Sequence, residues 1–202
     1  NLELHAQTGA LIKFSTDKSL YPIIQTSFEG LNTWRCISPI YGKNLENVAF
    51  TGKGVWDGSG EVWRQVKKSK VTENQWKKFV ASGGVVNAAK TSWYPSETFM
   101  KASEGADQNV RLDLKTKEDF EAIHDFLRPV LVSIQNSKRV LFDGPVFQNS
   151  PAWNIHPLMI EDLTLNVEIH SRIALIGVNG SGKSTVMGLI QGIYKPTKGK
   201  IN

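Results

Sequence analysis

A short turn–strand unit recurs along this sequence, and it limits the possible folds more than any other feature. Each copy places two apolar residues on one side of a strand, and the third copy follows the second by 23 residues. The three copies are Val48-x-Phe50, Val140-x-Phe142 and Leu163-x-Leu165. A recurring unit of this length is typical of a parallel β-helix, in which each coil lays its strand on the one before. A β-sandwich would give similar alternation, so both folds remain open at this point.

Two helices are predicted between the strand-rich regions. The first begins after Thr72, a suitable N-cap with Gln75 at the capping-box spacing, and ends before Gly83. Its apolar face consists of Trp76, Phe79 and Val80.

The second helix is opened by Thr116 and Asp119 and ended by Pro129. Its apolar stripe consists of Phe120, Ile123, Phe126 and Leu127.

Composition is that of a globular protein, with 40% hydrophobic and 21% charged residues among 202. The net charge of +5 comes from lysines that are spread along the chain, densest at residues 67–78. This pattern favours a solvated helix face over a polyanion-binding surface, and no nucleic-acid motif accompanies it. Cys36 is the only cysteine, which excludes an internal disulfide and a cysteine-based metal site. No apolar run reaches the roughly 18 residues that a membrane span needs.

A phosphate-binding loop lies near the C-terminal end of the sequence. Gly177, Gly182, Lys183 and Ser184 occupy the fixed positions of G-x-x-x-x-G-K-[ST]. An apolar run at residues 172–176 predicts a buried strand before the loop, and a helix is predicted after it, ending at Gly192. This strand–loop–helix order is the context that such a loop requires, so a merely structural glycine turn is not favoured.

Each residue of the loop has a predicted task. Backbone N–H groups at the glycines approach the phosphates, Lys183 contacts the β- and γ-phosphates, and Ser184 coordinates Mg²⁺. The predicted cofactor is therefore weakly bound ATP with Mg²⁺. The residues predicted to bind it are Gly177, Asn179, Gly180, Ser181, Gly182, Lys183, Ser184 and Thr185.

Residues 1 to about 165 resemble the N-terminal half of glycoside hydrolase family 28, the polygalacturonases and related pectin-degrading enzymes. The most specific matching motifs are Gly52-x-Gly54-x-x-Asp57-Gly58-x-Gly60-x-x-Trp63 and Asn149-Ser150-Pro151-x-Trp153-x-x-His156. The resemblance implies a mainly β chain built as an incomplete right-handed parallel β-helix, with a helical insertion at about residues 64–129. It also implies a parent activity of inverting hydrolysis of pectic polygalacturonan, without a cofactor.

The catalytic motifs of that family are Asn-x-Asp, Asp-Asp, Gly-His and Arg-x-Lys, and none of them occurs in this sequence. We therefore predict no catalytic residue. Trp153 and His156 are the candidate substrate-binding residues at the edge of a sugar cleft, with pectic polysaccharide as the partner that the resemblance implies. The alternative is that Trp153 packs between coils and His156 bonds to a turn.

Residues from about 158 to 202 resemble the opening of an ABC-type ATPase domain, closest to the ABC-F proteins. The segment "SRIALIGVNGSGKST" carries this resemblance. The "LSGGQ" signature and the Walker B carboxylates of that family do not occur in the sequence, so nucleotide binding is expected without hydrolysis. Residues 161–167 fit both families, and we place the domain boundary at 165/166, with 166–202 as the nucleotide-binding fragment.

The leading hypothesis is a chimeric or fragmentary chain, beginning at Asn1 rather than Met. It combines a family 28-like β-helix that lacks its catalytic coils with an ABC-type phosphate-binding loop, and we expect no catalytic activity. One alternative is an ATP-binding module of an ABC-type protein, and another is a non-catalytic carbohydrate-binding or structural β-helix. Localisation stays undecided, because pectinases are secreted or periplasmic whereas ABC-F proteins are cytoplasmic.

Overall fold

The computed structural model describes residues 1–104, 111–166 and 183–195 of the chain. The chain divides into two compact units, Asn1–Val167 and Glu168–Asn202. We call them the β unit and the C-terminal unit. The β unit is mainly β and contains both parallel and antiparallel sheets.

Thirteen strands and four α-helices occur among the described residues. The strands are β1 (Leu2–His5), β2 (Leu11–Lys13), β3 (Ile23–Phe28), β4 (Leu31–Cys36), β5 (Ile40–Lys43), β6 (Glu46–Thr51), β7 (Val55–Asp57), β8 (Val66–Lys67), β9 (Val85–Val86), β10 (Ser92–Tyr94), β11 (Val132–Asp143), β12 (Val146–Gln148) and β13 (Ile155–Asn166). The helices are α1 (Glu73–Ala81), α2 (Glu97–Ser103), α3 (Lys117–Glu121) and α4 (Lys183–Ile190). No described helix has the length and apolarity of a membrane span.

The recurring apolar pairs of the sequence stack on one another in the main sheet. Strands β1, β6, β11 and β13 pair in parallel in that order, and β5 pairs with the first part of β11. Two ladders of side chains result: Leu2, Val48, Val140 and Leu163 in one, and Leu4, Phe50, Phe142 and Leu165 in the other. The predicted alignment of the three copies is confirmed, and β1 adds a fourth. The parallel pairing is not that of an antiparallel β-sandwich.

A second parallel sheet is formed by three short strands, each of which follows a strand of the main sheet along the chain. It has the order β12, β7, β2 and places Trp56 between Ile12 and Phe147. The core between the two sheets is aromatic, because the rings of Phe50 and Phe142 stack with centroids 4.8 Å apart and Phe147 packs edge-on against both.

Pairs of residues with a left-handed backbone conformation, that is, a positive φ, bend the strands of the main sheet at matching positions. They are Asn44 and Asn47 beside β5 and β6, Asn136 and Arg139 in β11, and Met159 and Asp162 in β13. The register joins Lys43 to Gln135 and Gln135 to Leu158, so the three bends lie one above another. Asparagine tolerates this backbone region better than most residues, which explains its use at three of the six positions.

The sequence predicted two of the helices of the β unit in part, and it missed a helix and a hairpin. Helix α1 is confirmed with its capping box at Thr72 and Gln75, but Val80 is exposed rather than part of the buried face. Helix α3 keeps the predicted capping box at Thr116, yet it ends at Glu121 and a 3-10 turn follows. The antiparallel hairpin β3–β4 and helix α2 were not predicted.

The shortening of α3 has a physical cause in the next turn. His124 and Asp125 are tied to the N-terminal region, with Lys18 Nζ donating to Asp125 at 3.1 Å and a His124 ring nitrogen 2.9 Å from the Tyr21 carbonyl. The predicted apolar residues Phe120, Phe126 and Leu127 are nevertheless buried. The stripe was therefore correct as a core prediction, although the backbone carrying it is not one helix.

The C-terminal unit contains the helix predicted after the phosphate-binding loop. Helix α4 ends at Ile190, and Gly192 follows with a left-handed φ of 73°, as expected for a helix stop. The strand predicted at residues 172–176 and the loop at 177–182 lie outside the described residues.

Candidate functional site

Helix α4 begins at Lys183 and Ser184, the two residues that end the phosphate-binding motif. Lys183 is its first residue, and Ser184 and Thr185 follow in the first turn with exposed side chains. The first four N–H groups of an α-helix have no carbonyl partner within the helix, and they carry its partial positive charge. The first turn contains no acidic residue that would offset this charge.

The other end of α4 is fixed by local contacts. The backbone N–H groups of Ile193 and Tyr194 both donate to the Gly188 carbonyl, at 2.8 and 3.1 Å. A Cβ at Gly188 would collide with the Tyr194 ring. Glycine at position 188 therefore lets the chain fold back over the helix, a feature that the sequence motif does not include.

These residues fit ATP and Mg²⁺ as far as they are described. A helix that starts at Lys183 presents its first-turn N–H groups to an anion, and the exposed Ser184 hydroxyl is a hard oxygen ligand of the kind that Mg²⁺ prefers. The remaining predicted contacts, Gly177, Asn179, Gly180, Ser181 and Gly182, lie outside the described residues. Their roles stay predictions.

The structure brings the two predicted sugar-binding residues together around one phenylalanine. The rings of Trp153 and Phe28 stack with centroids 4.7 Å apart, and the His156 ring lies 5.6 Å from Phe28. Trp153 is half-buried and His156 is only 8% exposed. These contacts resemble core packing more than an open cleft. The sugar-binding role stays a prediction.

A small pocket lies beside His156, between the β3–β4 hairpin and the main sheet. Its polar lining includes Thr26, Arg35, Ser133 and His156. Burial, and then the nearby charge of Arg35, lowers the pKa of His156, so the imidazole is neutral at physiological pH. Its Nδ1 has no hydrogen-bond partner among the described residues.

A polar cluster joins the ends of β7 and β12 and was missed by sequence reasoning. Asn149 Nδ2 donates to Asp57 at 3.0 Å and to Glu61 at 2.6 Å, while Arg64 Nη2 donates to Asn149 Oδ1 at 2.6 Å. Burial by itself would raise the pKa of Asp57, but hydrogen bonds from Ser59, Gln148 and Asn149 lower it. Asp57 and Asn149 both belong to the family 28-like motifs, and these motifs were the sequence signal from which the cluster could have been predicted.

Comparison with known proteins places an ABC-type segment at the end of the chain. The sequence profile of the ABC transporter family matches residues 160–202. The match begins inside β13, so residues 160–166 belong both to the matched segment and to the last strand of the β unit. The phosphate-binding motif and α4 lie within the matched segment.

Individual relatives agree with this assignment. An O-antigen export system ATP-binding protein of Klebsiella pneumoniae is 52% identical over 44 residues, covering 22% of this chain and 18% of that protein. ABC transporter F family member 3 of Arabidopsis thaliana is 42% identical over 45 residues, covering 22% of this chain and 6% of that protein. The chain thus spans less than a fifth of the length of these relatives.

A solved structure also resembles the chain. The exopolygalacturonase from Thermotoga maritima aligns with a TM-score of 0.48 and 27% identity, covering 81% of this chain and 33% of that one. A TM-score of this size does not by itself establish a shared fold.

Proposed function

We propose that the C-terminal unit binds the phosphates of ATP with Mg²⁺, as the phosphate-binding segment of an ABC-type nucleotide-binding domain. The observation that carries the proposal is the start of α4 at Lys183, within the segment that matches the ABC transporter family. Residues 166–202 are the proposed extent of this segment. Its closer kinship to the ABC-F proteins is part of the proposal.

Each residue then has a task that follows from its place on the helix. Lys183 supplies a point charge to the β- and γ-phosphates, and the N–H groups of the first turn donate to phosphate oxygens. Ser184 would hold Mg²⁺, which supplies charge neutralisation of the triphosphate when bound. The proposal is for binding, and affinity is expected to be weak because the described residues of this unit offer phosphate contacts and no adenine pocket.

The test is a titration of the full chain with a fluorescent ATP analogue and Mg²⁺. Lys183→Ala should weaken binding at least tenfold, since one charged contact to phosphate is lost. Lys195→Ala is the matched control, because it removes the same charge from an exposed residue of the same unit. Equal affinities of the two variants would reject the proposal. Ser184→Ala should remove the Mg²⁺-dependent part of binding and leave binding in EDTA unchanged.

A second candidate function belongs to the β unit. We propose that it is a right-handed parallel β-helix related to the pectin-degrading enzymes of glycoside hydrolase family 28, acting as a binder of pectic polysaccharide. Two continuous side-chain ladders across four parallel strands support the coil arrangement. Trp153 offers the aromatic surface for a sugar ring.

The second candidate is tested by co-sedimentation with insoluble polygalacturonate at low salt. Trp153→Ala should release the protein into the supernatant, whereas Phe79→Ala, which truncates another half-buried aromatic residue on α1, should not. Thermal unfolding of both variants checks that they remain folded. Failure of the unaltered protein to sediment would reject this candidate and leave the nucleotide proposal intact.

A further inference from the structure

The excess positive charge of the chain is concentrated in the first part of the helical insertion. Residues 64–90 contain seven Lys and Arg residues and one acidic residue, which gives a net charge of +6, whereas the rest of the chain contains 17 basic and 18 acidic residues. Six of the seven basic residues are lysines with exposed side chains. They are Lys67, Lys68, Lys70, Lys77, Lys78 and Lys90, and we call them the lysine surface.

The segment that carries the lysine surface folds into a small layer within the β unit. Strands β8, β10 and β9 form an antiparallel sheet, and α1 packs on it through Phe79, whose ring centroid lies 5.2 Å from that of Trp93. Trp93 Nε1 donates to the Gly83 carbonyl at 2.7 Å, which ties the end of the helix to the sheet. Trp76 and Trp93 are both buried, so the aromatic rings face inward and the lysines remain on the outside.

Backbone pairing and one ion pair bring lysines from three elements together. The backbone N–H of Lys68 donates to the Thr91 carbonyl at 2.8 Å, so the turn residue Lys90 lies beside Lys68. Lys68 Nζ is 3.6 Å from the carboxylate of Glu73, in the first turn of α1. Lys77 lies one turn further along α1 on the face of Glu73, because residues four positions apart on a helix are neighbours. The lysines therefore form one continuous surface.

The charges of this surface are largely uncompensated within the part of the chain that the structure describes. Of the six lysines, only Lys68 has an ion-pair partner there, namely Glu73. Lys101, Lys117 and Lys138, in contrast, each pair with a glutamate. The sequence pattern alone favoured a solvated helix face, but like charges gathered on one surface repel one another. An extended anionic partner would remove this repulsion.

We propose that the lysine surface binds the anionic headgroups of a phospholipid bilayer. The lysine ammonium is a hydrated point charge without the planar fork of arginine, so it responds to charge density rather than to one particular group. Headgroups diffuse within the bilayer and gather under lysines whose spacing follows no repeat, whereas the phosphates of a nucleic-acid duplex have fixed positions. The inward-facing Trp76 and Trp93 are not available to stack on single-stranded bases.

An exposed apolar residue beside the lysines favours a bilayer over a duplex. Val80, in the last turn of α1, is 47% exposed and lies three positions after Lys77, so the two side chains share a face. A valine at this place contacts the interfacial layer of a bilayer while the lysine ammonium groups stay at the headgroups. A phosphate backbone offers no apolar partner for Val80. This surface lies in the β unit and does not depend on the proposed nucleotide site.

The proposal is tested by co-sedimentation of the full chain with vesicles. Vesicles of phosphatidylcholine alone are compared with vesicles that contain phosphatidylcholine and phosphatidylglycerol in equal parts. The protein should sediment with the anionic vesicles at low salt, stay in the supernatant with the neutral ones, and be released at about 1 M NaCl, where charges are screened within about 3 Å. Failure to sediment with the anionic vesicles, or equal sedimentation with both kinds, overturns the proposal.

Paired variants locate the binding on the lysine surface. Lys77→Gln combined with Lys78→Gln should raise the lipid concentration needed for half-maximal binding at least tenfold, since two of the six charges are lost. Lys13→Gln combined with Lys43→Gln is the matched control, because it removes the same charge from exposed residues elsewhere in the β unit. Thermal unfolding checks that both variants are folded. Equal weakening in the two variants would mean that net charge alone causes binding, and the assignment would be wrong.

Competition with a short DNA duplex distinguishes the two kinds of polyanion. The duplex is added to the protein and the anionic vesicles at an equal concentration of negative charge. Most of the protein should stay with the vesicles. Withdrawal of the protein from the vesicles into the supernatant by the duplex overturns the bilayer assignment and identifies nucleic acid as the preferred partner of the lysine surface.

Discussion

The β unit and the C-terminal unit treat their apolar side chains in opposite ways. In the β unit the central ladder residues Phe50 and Val140 are each 1% exposed, because strands from distant parts of the chain cover them on both sides. In the C-terminal unit most large apolar residues described on and after α4 are exposed. They are Val186, Met187, Ile190, Ile193 and Tyr194.

The difference shows which kind of contact determines the structure of each unit. Long-range pairs stabilise the β unit, so its fold depends on residues far apart in sequence. The C-terminal helix depends on local signals, namely its start at the phosphate-binding motif and its stop at Gly192. Its distinctive property is therefore chemical, whereas that of the β unit is architectural. The following predictions test this contrast, from the largest expected effect to the smallest.

Truncating one ladder residue should give the largest difference in stability effect between the two units. Phe50→Ala removes a buried ring that stacks on Phe142, and it should lower the free energy of unfolding of the β unit by about 3–5 kcal/mol. Ile190→Ala, at 59% exposure, should change the stability of the C-terminal unit by less than about 0.5 kcal/mol.

Urea unfolding followed by tryptophan fluorescence measures the first effect, since all six tryptophans lie in the β unit. Hydrogen exchange of the α4 amides measures the second. Comparable losses in the two variants would mean that Ile190 is covered as thoroughly as Phe50, and the contrast would be wrong.

Two left-handed glycines offer a second comparison. A Cβ at Gly52 would collide with the Ala6 carbonyl in addition to the strain of φ at 85°, whereas a Cβ at Gly192 meets no atom within 4 Å. Gly52→Ala should therefore cost about 2–4 kcal/mol in the β unit, and Gly192→Ala only about 1–2 kcal/mol of backbone strain. Thermal unfolding of the β unit, followed by tryptophan fluorescence, and hydrogen exchange of the α4 amides measure the two losses of stability. A larger loss of stability in Gly192→Ala would contradict the close approach seen at Gly52.

The smallest predicted effect concerns pH and belongs to the β unit. The Asp125 carboxylate raises the pKa of His124, and the same contact, with Lys18 adding to it, lowers the pKa of Asp125. Because the pKa of His124 is raised to about 10, its pairing gives stability that is complete below about pH 6.5 and is lost progressively as pH rises from there to about 10. A lowered aspartate pKa gives stability that is complete above about pH 4 and lost as pH falls below it.

Asp125→Asn should thus cost about 1–2 kcal/mol between about pH 4 and 6.5 and less on either side of that range. Some of the cost should persist at pH 8, because the pKa of His124 in the folded protein is about 10 and Lys18 also still pairs with Asp125 there. Urea midpoints across this pH range give the measurement. A difference between the two proteins that does not vary with pH would exclude the pairing of His124 with Asp125.

Local signals in the sequence were sufficient for some of this structure. The capping boxes at Thr72 and Thr116 and the stop at Gly192 depend on residues a few positions apart, and all three are present. The apolar alternation aligned Val48, Val140 and Leu163 correctly because a parallel stack repeats one pattern. The roles of Gly177 to Gly182 stay predictions.

Features that depend on distant contacts were not accessible from the sequence. The alternation of β3 and β4 gave no hint that they form an antiparallel hairpin whose Phe28 packs against Trp153. Arg64 and Arg128 lie at the two ends of the predicted helical insertion, and both contact the same loop, at Asn149 and Pro151. No motif spacing connects residues that meet through a third segment.

The overlap at residues 160–166 decides how far the two units can be treated as separate parts. A truncation before residue 160 would remove Leu163 and Leu165, the last members of both ladders. A shortened chain starting after residue 166 would lack the opening of the segment that matches the ABC transporter family. No single point of division preserves both parts, so each isolated unit needs its own copy of these residues.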